Sequence, residues 1–195
     1  MLPMPLHTQV LVVGVLLLSV CSCAQERRAH PVAVDGVIDL SDWDFEKDGS
    51  VELGGEWRFV WQEFVQPMPL DAFLNRYPDK AVVPHRWPGE PNPKEPGQVL
   101  PGVGHATYGL EVRLPKTRGS ARLGFTTKAI TSAATWVILS EDGARELAYL
   151  NQGIPGVSND SSTSSPLVTW TDLRSVGEDR VFLLVNVSNY IHARG

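Results

Sequence analysis

Leu53-Gly-Gly-Glu-Trp-Arg-Phe-Val-Trp61 alternates with a period of two. Leu53, Gly55, Trp57, Phe59 and Trp61 fall on one side, and Gly54, Glu56, Arg58 and Val60 on the other. A strand sends successive side chains to opposite faces, so this stretch has one apolar face and one mostly wet face. That is the pattern of a half-buried antiparallel strand. His105-Ala-Thr-Tyr-Gly-Leu-Glu-Val-Arg-Leu114 repeats it, with Ala106, Tyr108, Leu110, Val112 and Leu114 facing inward. Pro115 closes this second strand because it has no N–H to give to a ladder.

Further strands are expected at Ala121–Thr127, Ala134–Ser140, Leu147–Asn151, Leu167–Trp170 and Arg180–Ser188, with Glu141-Asp-Gly143 as a turn signal. Only Leu70–Tyr77 reads as a helix, with Asp71 as a first-turn acid. Two stretches are irregular: Pro84–Gly104, which holds six prolines, and Gly153–Ser165, rich in Ser, Gly and Asn. Strands joined by turns and long loops predict an all-β chain, an antiparallel β-sandwich or jelly roll. A length of 195 residues suits one such domain, and 17 Gly and 15 Pro suit its many turns. The expected division is a signal segment at 1–24, a linker at 25–35 and a sandwich binding domain at 36–195.

Charge narrows the partners. Seventeen Lys and Arg against 22 Asp and Glu give a net charge of −5, which argues against nucleic acid, since neutralising phosphates needs a basic face. Cys21 and Cys23 are the two cysteines, both near the N-terminus. From Ala24 onward there is no disulfide scaffold, thiol nucleophile or cysteine zinc site.

The apolar run Val10–Val20 covers about 17 Å as a helix, short of a hydrocarbon core roughly 30 Å thick. Followed by small residues, it reads as a secretory signal. Two cleavages compete. Ser22-Cys23-Ala24 suits a signal peptidase that releases Gln25, while Val20-Cys21-Ser22-Cys23 resembles a bacterial lipobox with Cys23 as the lipidation site. Residues 1–9 hold no Lys or Arg, and Arg27 and Arg28 follow the run, which departs from the usual signal pattern. The expected location is the periplasm or cell surface, with membrane association through the signal or lipid anchor, or through C-terminal helices that this chain lacks.

Local spacing offers little catalytic chemistry. Asp42-Trp-Asp-Phe-Glu-Lys-Asp-Gly49 places acids like a calcium loop, but counted from Asp44 the bidentate acid falls on Gly55, so a polar turn is the better reading. His85, His105 and His192 show no metal-ligand spacing, and no HExxH, GxSxG, phosphate loop or GxGxxG is present. Neither metal nor cofactor is implied, and the chain is expected not to be an enzyme. Tryptophan is the more interesting resource. Trp57 and Trp61 belong to the core face, whereas Trp43, Trp87, Trp136 and Trp170 are not placed by pattern. An exposed indole on a β-sandwich can stack on the apolar face of a sugar ring. Trp87, Trp136 and Trp170 are therefore the ligand-binding candidates, set against burial in a sheet. Asn186 and Ser188 alternate with Val185 and Val187, and either line a groove or face solvent.

Several segments together resemble a known family: Gly36–Phe45, Val51–Phe59, Val83-Pro-His-Arg-Trp87, Gly104–Leu110 with Leu114-Pro115, and Val187–His192. Their order resembles the N-terminal extracytoplasmic sensor domain of bacterial seven-transmembrane receptors with diverse intracellular signalling modules. The Leu-x-Gly-x-Trp, Val-Pro-x-x-Trp and Gly-x-x-x-Tyr elements are also similar to the sugar-binding domain of family 2 glycoside hydrolases. Both resemblances imply a galactose-binding-like jelly roll that senses or binds a small-molecule or carbohydrate ligand without cleaving it. They imply a structural role for Trp57, Trp87 and Tyr108. Against the receptors, the chain is expected to be truncated at its C-terminus, and two other readings remain open: a fragment of a glycoside hydrolase, and a surface lipoprotein module that binds another protein.

The apolar run carries a direct test. Intact-mass analysis of membrane and periplasmic fractions is expected to show loss of the first 22 to 24 residues. A diacyl increment on Cys23 selects the lipoprotein route, and a full-length cytosolic species contradicts export.

Overall fold

A computed structural model of the chain describes residues 28–116, 123–128, 130, 132–165, 169–173 and 177–191. The signal segment and Cys23 lie outside these residues, as do 121–122 and 167–168 of two expected strands. In chain order the described elements are β1 (Val37–Asp39), β2 (Gly55–Trp61), α1 (Leu70–Arg76), β3 (Lys80–Val83), β4 (Gly104–Arg113) and β5 (Gly124–Thr126). They continue with β6 (Ala133–Ser140), β7 (Glu146–Ile154), β8 (Thr163–Ser164), β9 (Trp170–Asp172) and β10 (Arg180–Asn189).

The main sheet runs in the order β3-β2-β4-β10-β6-β7-β8. Its pairings along this path are antiparallel, and β10 lies at the centre, with Val185 opposite Tyr108 on one side and Trp136 on the other. β1 adds a short parallel pairing to β4 at Glu111–Arg113, beyond the stretch of β4 that pairs with β2. A second sheet, β5 with β9, covers the inner face. The result is the all-β sandwich that the alternation predicts.

The inner face buries Trp57, Phe59 and Trp61 from β2, Ala106, Tyr108, Leu110 and Val112 from β4, and Val181 to Val187 at odd positions of β10. Phe125, Leu123 and Leu173 close it from the small-sheet side. The outer face differs from the wet surface expected of it. Val60, Leu139, Phe182 and Leu184 form a second cluster there with Val65, Leu70 and Phe73. Leu70 and Phe73, three apart, share one face of α1, and the Leu70 N–H donates to Glu141 O at 2.9 Å where the helix begins. Such close seating needs a gap in the sheet, and Gly109 provides it: a Cβ there would lie 2.1 Å from Phe73 Cε1. Val60, grouped with the polar positions in the sequence, is the β2 residue that meets this helix-covered layer.

The expected linker also differs. Ala33 is buried and forms a parallel bridge with Gly55, its N–H donating to Gly54 O at 2.8 Å. Gly55 has a φ of +114°, and a Cβ would fall 2.3 Å from Ala33 O, so the bridge depends on glycine there. The Arg28 guanidinium lies 5.6 Å from the Trp43 ring centroid. Within the expected linker, Arg28 and Ala33 therefore contact the sandwich, and the contacts begin before Gly36. β1, β3 and β8 were not anticipated, because two to four residues carry too little periodicity to be read.

Gly109→Ala is expected to destabilise the fold by about 1–3 kcal/mol through overpacking against Phe73, measured by urea denaturation. Because the two sites are coupled, Phe73→Ala should cost less in the Gly109→Ala background than in the wild type. Unchanged stability of Gly109→Ala would contradict the seating of α1 on β4.

Candidate ligand-binding site

The three candidate tryptophans occupy three different environments. Trp87 is buried, and its Nε1–H donates to the Tyr108 hydroxyl at 2.7 Å. Its ring stands edge-on to Trp61 at 4.9 Å, while Tyr108 lies 5.1 Å from Phe59 and its oxygen 2.8 Å from His85 Nε2. The residues that carry the family resemblance thus make an interior aromatic hub with no ring face left for a ligand. Burial lifts the Tyr108 hydroxyl well above its ordinary range and pushes His85 down. Trp136 is half-buried on the inner face, 5.5 Å from Phe125, with its indole N–H enclosed and without a hydrogen-bond partner among the described residues.

Trp170 is the exposed one, 72% accessible. It stands on β9 opposite Thr126, and Gly124 pairs with Asp172 two positions along. Alternation therefore puts Trp170, Asp172, Thr126 and Gly124 on the outer face of the small sheet, while Phe125 packs inward. Gly124 has no side chain to shade the neighbouring indole. The site is an open platform of one aromatic ring beside a hydroxyl and a carboxylate.

The outer face of the main sheet holds a second group. Ser188 is buried: its Oγ lies 2.7 Å from Ser162 Oγ and accepts from Gly156 N–H at 3.1 Å. Asn186 is half-buried, with Oδ1 2.5 Å from Thr107 Oγ1. The Thr107 hydroxyl also lies 2.8 Å from Glu63 O and accepts from Val65 N–H at 3.0 Å. Register aligns Thr107, Asn186, Thr135 and Asn151 across four strands. The adjoining row is Gly109, Leu184, Val137 and Tyr149, with Tyr149 exposed. Of these, Asn186 and Ser188 are the two that the sequence pattern singles out, and Ser188 is buried rather than groove-lining or solvent-facing; the others become neighbours only through long-range pairing.

Charged groups are largely tied to one another. Glu111 is 1% exposed and takes Nε–H bonds from Arg113 at 2.8 Å and Arg180 at 2.9 Å. Burial pushes its carboxyl up, but the two arginines outweigh that and hold it below the usual carboxylate range. Arg180 also binds Glu141 and Asp71, and Arg145 binds Glu178. These acids line a surface cleft of about 410 Å³ with Asp142 and Pro69. The Asp42–Gly49 turn is held from within: Asp44 Oδ1 accepts from the Glu46 and Lys47 amides, and its carboxylate pairs with Lys47. Among the described residues no group of three or more His, Cys, Asp or Glu could hold a metal ion.

No family model matches the sequence, and no curated protein matches it. Solved structures do match. A β-glucuronidase of Faecalibacterium prausnitzii superposes with a TM-score of 0.50 at 15% identity, over 73% of this chain and 21% of that one. A β-glucuronidase from an uncultured Clostridium species gives a TM-score of 0.49 at 19% identity, over 72% of this chain and 22% of that one. The chain spans about a fifth of the length of these enzymes. At this identity the likeness to the first is one of fold, and it fits a galactose-binding-like sandwich.

The buried groups predict a pH profile. Burial pushes His85 and His105 below their ordinary values. The unfolded chain, with histidines near about 6.5, then binds more protons than the fold just below that pH, so stability rises with pH there. The histidine contribution is full above about 6.5 and is lost as pH falls through the lower folded values. Glu111 adds a second loss, setting in below about 4.3. Urea midpoints measured from pH 8 to pH 3 are expected to fall in these two stages, with His85→Asn flattening the first. A midpoint that is constant from pH 7.5 to 5 contradicts the burial of both histidines.

Proposed function

We propose that this chain is a non-catalytic binding domain and that its ligand is a carbohydrate. The observation that carries this reading is Trp170, an indole left 72% exposed on the outer face of a small sheet. Leaving so large an apolar surface in water has a cost, and a sugar ring that covers it with C–H groups removes that cost. Thr126 and Asp172 beside it supply a hydroxyl and a carboxylate for the ring's equatorial hydroxyls. An open platform buries little ligand area, so affinity is weak.

The finer reading is an exported sensor domain of a membrane signalling receptor. The order of the motifs from Gly36 to His192 and the apolar run at Val10–Val20 support it. The fold likeness to β-glucuronidases favours one alternative, a sandwich module of a larger glycoside hydrolase. In either case turnover is not assigned to these residues.

Trp170→Ala is expected to weaken glycan binding several-fold to about tenfold, the worth of one aromatic stacking contact, with stability unchanged because the ring is exposed. Glycan-array screening followed by titration of the best hit measures it. Wild-type binding that the variant retains in full would contradict the platform, and repurified protein that hydrolyses a nitrophenyl glycoside would contradict the non-catalytic assignment.

A further inference from the structure

We propose that the outer face of the main sheet carries a second site, a floor for a short neutral saccharide formed by Asn186, Thr135, Asn151 and Tyr149. The ligand class rests on the carbohydrate reading above, but the site lies on the opposite side of the sandwich from Trp170.

Several polar side chains of this sheet and its flanking loops are hydrogen-bonded within the fold. Ser140 bonds Asp142 at 2.5 Å, Ser188 pairs with Ser162, Ser132 donates to Asn189 at 2.7 Å, and Gln152 donates to Thr127 at 2.7 Å. One row departs from this. The Thr135 hydroxyl, the Asn151 amide and the Tyr149 hydroxyl have no hydrogen-bond partner among the described residues. Thr107 Oγ1 donates to Asn186 Oδ1, and Nδ2 has no hydrogen-bond partner among the described residues. These groups are not scattered, since strand pairing sets Asn186 beside Thr135, Thr135 beside Asn151, and Val137 beside Tyr149.

The floor is bounded at both ends. Leu74 and Tyr77 of the α1 region pack in the cluster that includes Val137, and the 153–165 loop closes over Ser188 through Gly156 and Ser162. From β10 to β7 it crosses two inter-strand gaps of about 4.8 Å, roughly 10 Å in all and about the length of a disaccharide. Its amides and hydroxyls are both donors and acceptors, as a polyhydroxylated ligand requires. Tyr149 supplies an exposed aromatic ring at the end of the floor. Neither row carries a Lys, Arg, Asp or Glu between β4 and β7. A uronate would need a cation, and Arg180, on the same strand as Asn186, is already held by Glu111, Glu141 and Asp71. The floor therefore favours neutral over acidic sugars.

The test uses the full chain on an array of neutral and uronic-acid glycans, followed by titration of the best neutral hit and of sodium glucuronate. A neutral glycan is expected to bind. Asn151→Ala and Tyr149→Ala should each weaken it about tenfold, with melting temperature unchanged because both residues are exposed. In Trp170→Ala this binding should persist. Neutral binding that is lost in Trp170→Ala but indifferent to Asn151 and Tyr149 overturns the second site and leaves the carbohydrate reading standing. A preference for glucuronate overturns the neutral assignment, and a wild type that binds no glycan overturns both.

Discussion

The structure depends on β10 lying between β4 and β6. Ten residues of β10 pair with β4 and eight of them also pair with β6, so one strand joins the two halves of the sheet. Each side chain along it has a distinct task. Val181, Leu183, Val185 and Val187 fill the inner core, while Phe182 and Leu184 lie beneath α1. Asn186 is left half-buried on the outer face, and Ser188 and Asn189 fasten the loops at the end of the sandwich, the Asn189 amide donating to Gly102 O at 2.7 Å. Pairing partners so distant in sequence must close a long loop before any of this energy is gained, an entropic cost that local contacts do not carry.

Interior and surface aromatics divide the work. Phe59, Trp61, Trp87 and Tyr108 are locked ring against ring, with one hydroxyl serving both an indole and an imidazole. That hub holds the Pro84–Gly104 loop to the sheet and leaves nothing for a ligand. Trp170 and Tyr149, in contrast, lie on outward-facing positions of opposite sheets, where side chains can change without disturbing the core. Binding on such surfaces is separable from folding, and the two can be altered independently by mutation.

Period-two runs were legible because each strand displays its own alternation. The inward sets Trp57-Phe59-Trp61 and Ala106-Tyr108-Leu110-Val112 needed no partner to be recognised, and the short helix from Leu70 was readable too. What depends on partners was not. Val60 read as an exception on a wet face until α1 covered it, and Gly109 gave no sign that Phe73 would lie on it. Ala33 looked like linker because its pairing with Gly55 lies 22 residues away. For the same reason the three candidate tryptophans could not be ranked. Trp87, Trp136 and Trp170 differ in which distant strand or loop covers them, and that is a property of topology rather than of local pattern.

Native-state amide hydrogen exchange tests the central place of β10 most directly. If this strand unites the sheet, its amides and the β4 and β6 amides facing it should exchange only by global unfolding and share one opening free energy, the largest in the molecule. β8 and the small sheet should open well below it. Amides of Val181–Val187 that exchange as fast as those of the surface loops would contradict the account.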